Sequence, residues 1–184
     1  LGLGDTGVSA LRWLKAQGAR LAVADTRAAP ANAVLVSREW PEVAIHLGAF
    51  APAAFDGAEL IVISPGVPLA EPQVQAAIAR GVPVVGDVEL FAQYRPAGSR
   101  LIAITGANGK STVTTLVGDM CQAAGLRTVV AGNIGLPVLD TLSASQPAAD
   151  MYVLELSSFQ LETTHSLHAD AATVLNLSED HLDR

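Results

Sequence analysis

Residues 101–112 read LIAITGANGKST: an apolar, β-branched run that opens at Gly106 into Ala107, Asn108, Gly109, Lys110, Ser111 and Thr112. Two glycines let backbone N–H groups turn toward an anion, a following helix presents its positive end, and a lysine adds a full charge. Ser111 stands where a hydroxyl can ligate the Mg²⁺ that accompanies a nucleoside triphosphate. The spacing G-x-x-G-K-S is two residues shorter than the common G-x-x-x-x-G-K-[ST] loop, so it is either an accident or a distinct class of loop. The plain alternative is a surface lysine in an ordinary strand-to-helix turn. Against it, a cation at a helix N-terminus opposes the macrodipole, and Lys110 is one of only two lysines in the chain, with Lys15. The segment reads as a phosphate cradle.

A second glycine turn lies near the start. Gly2-Leu3-Gly4-Asp5-Thr6-Gly7 fits G-x-G-x-x-G, with Asp25 following 18 residues after Gly7. Alone, this pattern points to a dinucleotide such as NAD, with Asp25 on a ribose hydroxyl. A tight turn that needs glycine only for packing is the alternative. Arg27 is a planar cation suited to stacking on a base or binding phosphate, and equally a solvated surface arginine. Glu155 closes another apolar run and precedes Ser157 and Ser158. A carboxylate so placed can hold nucleotide-bound Mg²⁺, directly or through water; a helix-capping cluster is a compatible reading. Asn133, in Gly132-Asn133-Ile134-Gly135-Leu136-Pro137, offers an amide to a substrate or simply tolerates a left-handed turn. His181, in an acidic loop, is by itself more typical of a solvated residue than of a ligand. His46, His165 and His168 read as structural or exposed. Paired Cys/His spacings, a G-x-S-x-G elbow and a Ser-His-Asp ordering are all missing, which sets zinc-enzyme and serine-hydrolase readings aside.

The elements that must position these residues follow from hydrophobic pattern. Apolar runs at 21–24, 43–47, 60–63, 82–85, 101–105, 128–131, 152–156 and 172–177 alternate with helix-like stretches, notably 8–17, 72–80, 110–124 and 136–142. Continuous apolar strands alternating with helices imply parallel sheets covered on both faces, an α/β class. Ligands in such sheets gather beyond the carboxyl ends of the strands. Those ends carry residues 2–7, 25–27 and 64–66 in the first half, and 106–111, 132–133, 155–158 and 176–181 in the second. The segment 91–100, with Pro96-Ala97-Gly98-Ser99, reads as a linker and divides the chain into domains 1–95 and 96–184.

Composition bounds the function. At 184 residues the chain can bury a core as one large domain or two small ones. Its apolar runs are only four to eight residues long, too short to span a membrane, and no signal peptide is visible. A single cysteine, Cys121, leaves no intramolecular disulfide and suits a reducing cytoplasm. A net charge of −7 without a basic run argues against nucleic-acid or anionic-membrane partners. Residues 1–4 read as the end of a strand whose beginning is missing, and the chain stops soon after another. It is expected to be an interior portion of a longer protein.

Taken together, these residues resemble the Mur ligases, the ATP-dependent amide-forming enzymes of peptidoglycan synthesis. The loop TGANGKST is similar to that family's own short nucleotide loop. The segments GNIGLP (132–137), LELSSFQLE (154–162) and NLSEDHLDR (176–184) resemble its D-glutamate-adding member, and the likeness runs from end to end. The resemblance implies an N-terminal Rossmann-like parallel sheet domain that binds UDP rather than NAD. Part of a P-loop ATPase-like central α/β domain would follow. It puts Gly4, Asp5, Thr6 and Gly7 at the diphosphate, Asp25, Thr26 and Arg27 at the uracil end, and Ser64 and Gly66 in the same groove. Asn133 would meet the muramoyl portion, with Ser157 close by. Gly106, Asn108, Gly109, Lys110, Ser111 and Thr112 would cradle ATP. Ser111, Glu155 and His181 would hold Mg²⁺, and Lys110, Glu155 and His181 would be the catalytic set.

The implied reaction is cytoplasmic and joins D-glutamate to UDP-N-acetylmuramoyl-L-alanine through an acyl phosphate. In that family a carbamylated lysine, most of the adenine pocket and the D-glutamate-binding domain lie further along. The chain alone is therefore expected to be inactive. Alternatives are an NAD-binding oxidoreductase or sensor module, a non-catalytic regulatory module, or another Mur or folylpolyglutamate-type ligase. Phe159-Gln160 disfavours the last two ligases.

Overall fold

A computed structural model describes residues 1–143 and 149–179. The backbone divides into two compact units, Leu1–Asp87 and Val88–Arg184. The division falls at the first residue of the helix Asp87–Tyr94 rather than after the helix, because the rest of that helix packs on the second unit. Phe91, fully buried, meets Tyr152 edge to face at 5.0 Å between ring centroids.

In the first unit, α1 (Asp5–Ala16) precedes β1 (Ala22–Asp25), α2 (Ala33–Glu39) and β2 (Ala44–Leu47). After a 3-10 turn at Pro52–Phe55 come β3 (Ile61–Val62), α3 (Pro72–Ala79) and β4 (Val84–Val85). β1 pairs with β2 and β3 with β4, both in parallel. The first residues link the two pairs: the Gly2 N–H donates to the Ala24 carbonyl (2.8 Å), and the Ser64 N–H to that of Leu1 (2.9 Å). Residues 1–2 thus serve as a short extra strand between β1 and β3. One apolar cluster unites Leu3, Val8, Leu11, Val23, Val36 and Val43, so α1 and α2 cover the sheet around β1. A second joins Ala24, Phe50, Phe55, Ile61, Ile63, Val74 and Ala77 beneath α3.

The second unit begins with α4 (Asp87–Tyr94) and continues through β5 (Arg100–Thr105), α5 (Lys110–Ala123) and β6 (Thr128–Gly132). Then come β7 (Met151–Glu155), α6 (Ser158–Leu161) and β8 (Ala171–Val174). The strands form one parallel sheet in the order β6-β7-β5-β8. β7 has a partner on each side and is buried throughout, which its unbroken apolar run allows. Among the described residues β8 pairs only with β5, and it is exposed along its length.

The chain leaves β5 toward β6, returns to β7 beside β5, and then crosses to β8 on the other side of β5. That reversal makes the carboxyl end of β5 a topological switch point. The stretch 136–142 forms not an α-helix but a short 3-10 turn, Val138–Leu142, entered through Pro137 with ψ 135°. Among the described residues no helix is long and apolar enough to cross a membrane.

Candidate functional site

The first glycine turn is shaped by close backbone approach. Gly4 is the N-cap of α1, which Asp5 begins and which contains Thr6 and Gly7. A Cβ on Gly7 would lie 1.9 Å from the Gly2 carbonyl oxygen, so a side chain there would force the turn apart. Ser64, at the end of β3, packs against the same two glycines: its Oγ lies 3.0 Å from a Cβ built on Gly2 and 3.3 Å from one on Gly7. Gly66, two residues on, is exposed. The carboxyl ends of β1, β3 and the opening segment therefore converge on this turn.

Asp25 is buried at 2 % exposure, and both its oxygens are occupied. Oδ1 accepts from the Arg27 N–H (2.8 Å) and Nε (2.9 Å). Oδ2 accepts from the Leu3 N–H (2.6 Å) and the Arg27 guanidinium (2.7 Å). A carboxylate has about four lone-pair sites, so Asp25 has no acceptor capacity to spare. The Arg27 guanidinium holds the Asp25 carboxyl well below the usual range; burial opposes this, while the Leu3 and Arg27 N–H groups reinforce it. Asp25 thus anchors Arg27 and the opening turn, and Thr26 and Arg27 remain exposed beside it. Asn32, absent from the sequence reading, belongs here too. Its amide donates to the Leu3 carbonyl (3.2 Å) and to Asp5 (3.4 Å).

In the second unit the loop after β5 has the cradle geometry. Gly109 is the N-cap of α5 at φ 81°, the left-handed region that glycine enters without strain. No side chain caps this helix, so its first N–H groups are left for a ligand or water. Lys110 folds back, and its Nζ donates to the carbonyls of Gly106 (2.7 Å) and Ala107 (3.1 Å). Those two carbonyls relieve the conflict between an ammonium group and the helix dipole. An ammonium has three donors, so one remains for an anion. Asn108, Gly109, Ser111 and Thr112 are exposed around it.

The adjacent strand delivers Glu155. The loop strand is tied to it by the Leu156 N–H donating to Ile104 (2.9 Å) and the Thr105 hydroxyl donating to the Leu156 carbonyl (2.8 Å). Glu155 is 1 % exposed. Its Oε1 accepts from the Asn133 amide at 2.7 Å, whereas Oε2 is buried without a partner among the described residues. A buried carboxylate oxygen with no donor is costly unless a cation or water meets it. The donor set therefore fits a hard divalent cation such as Mg²⁺, with Glu155 as one ligand and the Ser111 hydroxyl available from α5.

Asn133 is fixed twice, since its N–H also donates to the Glu155 carbonyl (2.8 Å). Ser157 is the N-cap of α6 in a capping box with Gln160: its Oγ accepts from the Gln160 N–H (3.2 Å), and its own N–H donates to Gln160 Oε1 (3.1 Å). His181 lies outside the described residues. Among the described residues no group of three or more His, Cys, Asp or Glu side chains gathers as a metal cluster. A cavity of about 390 Å³ beside β5 and β8 is lined chiefly by apolar residues, including Leu156, Leu161 and Val174, and is chemically unsuited to phosphate.

Two residues to which the sequence pattern gives no individual role organise this unit. Asn176 grips the cradle loop from the end of β8. Glu89, on α4, accepts from the N–H groups of His165 (2.6 Å) and Ser166 (2.9 Å), the Ser166 hydroxyl (2.6 Å) and Gln93 (2.9 Å). Burial is the largest single influence on the Glu89 carboxyl and raises its pKa. The four donors together outweigh it and bring the value down to about 2.

Comparison with known proteins agrees with this two-part layout. Residues 1–86 match the Mur ligase MurD-like N-terminal domain, and residues 104–184 the Mur ligase middle domain. The chain is 73% identical over 184 residues to a UDP-N-acetylmuramoylalanine--D-glutamate ligase of Methylobacillus flagellatus, covering 100% of this chain and 40% of that protein. It is 55% identical over 201 residues to the enzyme of the same name from Thiobacillus denitrificans, covering 100% of this chain and 42% of the relative. The chain thus spans about two-fifths of the length of these relatives. A UDP-N-acetylmuramate:L-alanyl-gamma-D-glutamyl-meso-diaminopimelate ligase from Neisseria meningitides shares the fold. It has a TM-score of 0.58 and 18% identity, over 99% of this chain and 60% of that one.

Proposed function

The chain belongs to the Mur ligase family, and on that premise we propose that it contributes the UDP-substrate and ATP sites of a D-glutamate-adding ligase. The reaction would join D-glutamate to UDP-N-acetylmuramoyl-L-alanine with ATP and Mg²⁺, in the cytoplasm. The observation that carries this reading is the meeting of two features. A helix-start loop bearing Lys110, with no side-chain cap, follows β5, and on the adjoining strand Glu155 keeps one buried oxygen without a partner among the described residues.

In this reading the first unit binds the UDP end. The Gly4-Asp5-Thr6-Gly7 turn at the start of α1 meets the diphosphate, which suits a helix N-terminus. Thr26 and Arg27 face the uracil, while Asp25 holds Arg27 in place; Ser64 and Gly66 complete the groove. The saturated Asp25 carboxylate disfavours the NAD alternative, which needs it free to accept from a ribose hydroxyl.

The second unit handles phosphoryl transfer. Gly106, Asn108, Gly109, Ser111 and Thr112 receive the polyphosphate, and the free donor of Lys110 faces the β- and γ-phosphates. Glu155, Ser111 and His181 would hold Mg²⁺, with Asn133 and Ser157 toward the muramoyl portion. Bound Mg²⁺ supplies charge neutralisation for two anions that must approach each other. The L-alanyl carboxylate attacks the γ-phosphorus, releasing ADP and forming an acyl phosphate. The D-glutamate amine then attacks the acyl carbon, forming the amide and releasing phosphate. Lys110 stabilises the negative charge that builds on the transferred group.

Calorimetric titration of the chain with UDP and with NADH tests the substrate class. A heat of binding for UDP and none for NADH is expected. Tight NADH binding without a UDP signal would overturn the reading.

A further inference from the structure

The cradle loop is not held by its own glycines alone. Asn176 lies just beyond β8, 68 residues from Asn108, and pairs with its backbone in both directions. The Asn108 N–H donates to Asn176 Oδ1 at 2.8 Å, and Asn176 Nδ2 donates to the Asn108 carbonyl at 2.8 Å. The Ala107 N–H donates to the Asn176 backbone carbonyl at 3.1 Å, and the Leu175 N–H to Thr105 at 2.9 Å. The β5–β8 ladder therefore continues past the strands and into the loop. The approach is close enough that a Cβ on Gly106 would stand 3.1 Å from the Asn176 nitrogen and 3.2 Å from its oxygen.

From this geometry we infer that Asn176 is a positioning residue for nucleotide binding, pinning the phosphate loop in its receptive shape before the nucleotide arrives. A primary amide presents one donor and one acceptor on the same edge, which matches the N–H and C=O of a single residue. Aspartate cannot reproduce the match, because it places an acceptor against the Asn108 carbonyl. Alanine leaves both Asn108 groups to water. A loop free to move must then be ordered by the ligand, which weakens binding. Lys110 depends on the same arrangement, since its ammonium is held by the carbonyls of Gly106 and Ala107, the residues just before Asn108. Asn176 itself touches no phosphate in this account; it acts through the loop.

The inference rests on the proposal that residues 106–112 bind ATP, and its test separates the two. Mg-ATP affinity is measured by calorimetry for the full-length protein and its N176A and N176D variants. Amide exchange at Ala107 and Asn108 is followed without nucleotide. Loss of two solvent-exposed hydrogen bonds predicts roughly five- to tenfold weaker Mg-ATP binding in N176A. N176D should be weaker still, because its charge faces the phosphates. UDP affinity should stay unchanged in both. Exchange at the Asn108 amide should accelerate in N176A, while Ala107, bonded to a backbone carbonyl, keeps most of its protection. If the parent protein binds Mg-ATP and N176A binds it equally well, the positioning role is wrong and the ATP reading stands. If the parent does not bind Mg-ATP, the ATP reading fails and this inference with it.

Discussion

Glu155 and Asn133 form the unit in which chemistry and stability are hardest to separate. One Glu155 oxygen is held by Asn133, and the other is buried without a partner among the described residues. Glu155→Gln keeps the acceptor for Asn133 and removes the charge, so the fold should survive while cation binding falls. The expected result is at least a tenfold loss of Mn²⁺ affinity, read by electron paramagnetic resonance with ATP present, and a melting temperature within a few degrees of the parent. Asn133→Ala should do the reverse in the absence of metal. It strips the last donor from a buried carboxylate, an error of about 1–3 kcal/mol, measurable by urea unfolding. Equal stability of the two variants would contradict this division of roles. For Lys110→Ala in the full-length protein, a fall of about a hundredfold or more in ligation rate is expected, the scale seen when a preorganised electrostatic donor is lost. An unchanged rate would remove Lys110 from the mechanism.

At the scale of elements, α4 is a working part of the second unit. Glu89 joins it to the turn before β8 through three hydrogen bonds, from His165 and Ser166, and accepts a fourth from Gln93 on α4 itself. Its carboxyl falls from 4.5 to about 2 on folding, so the stabilisation is fully present above pH 4.5. It is lost as pH falls through 4.5 toward about 2, where the folded state also takes up the proton. Glu89→Gln should flatten the stability profile in that window, on the order of 2–3 kcal/mol, while leaving the slope above pH 5 unaltered. Denaturation midpoints from pH 2 to 7 would check it; parallel profiles for parent and variant would count against the clamp.

Contacts between elements are also what local sequence pattern does not encode. The alternation of strands and helices was legible because parallel strands buried on both faces must be continuously apolar, as in β7. The boundary at 87 rather than 95 was not, since Glu89 and Phe91 find their partners at 165–166 and 152, and no local pattern encodes such distances. The end of β8 at Val174 was hidden for a similar reason. Leu175 continues the apolar run and bonds Thr105, but Asn176 has already turned to the loop.

Over the whole molecule, two parallel α/β units each place their polar residues at strand carboxyl ends, as the pattern required. Glycine and charge motifs picked out both candidate sites. The side-chain locks did not announce themselves: the saturation of Asp25 and the Asn176 grip involve common polar residues whose meaning is fixed only by the fold. Because the chain spans about two-fifths of its relatives' length, binding and turnover should separate in it. The 184-residue chain should bind UDP and show no phosphate release dependent on D-glutamate. Release by the chain alone would refute this.

An acceptor screen decides whether D-glutamate is the amino acid that the full-length ligase adds. Full-length protein would be supplied with ATP, Mg²⁺ and UDP-N-acetylmuramoyl-L-alanine, and each candidate amino acid added in turn while ADP is measured. The account predicts steady ADP release with D-glutamate and background release with L-alanine, L-lysine, meso-diaminopimelate and L-glutamate. Turnover with another acceptor, and none with D-glutamate, would contradict it.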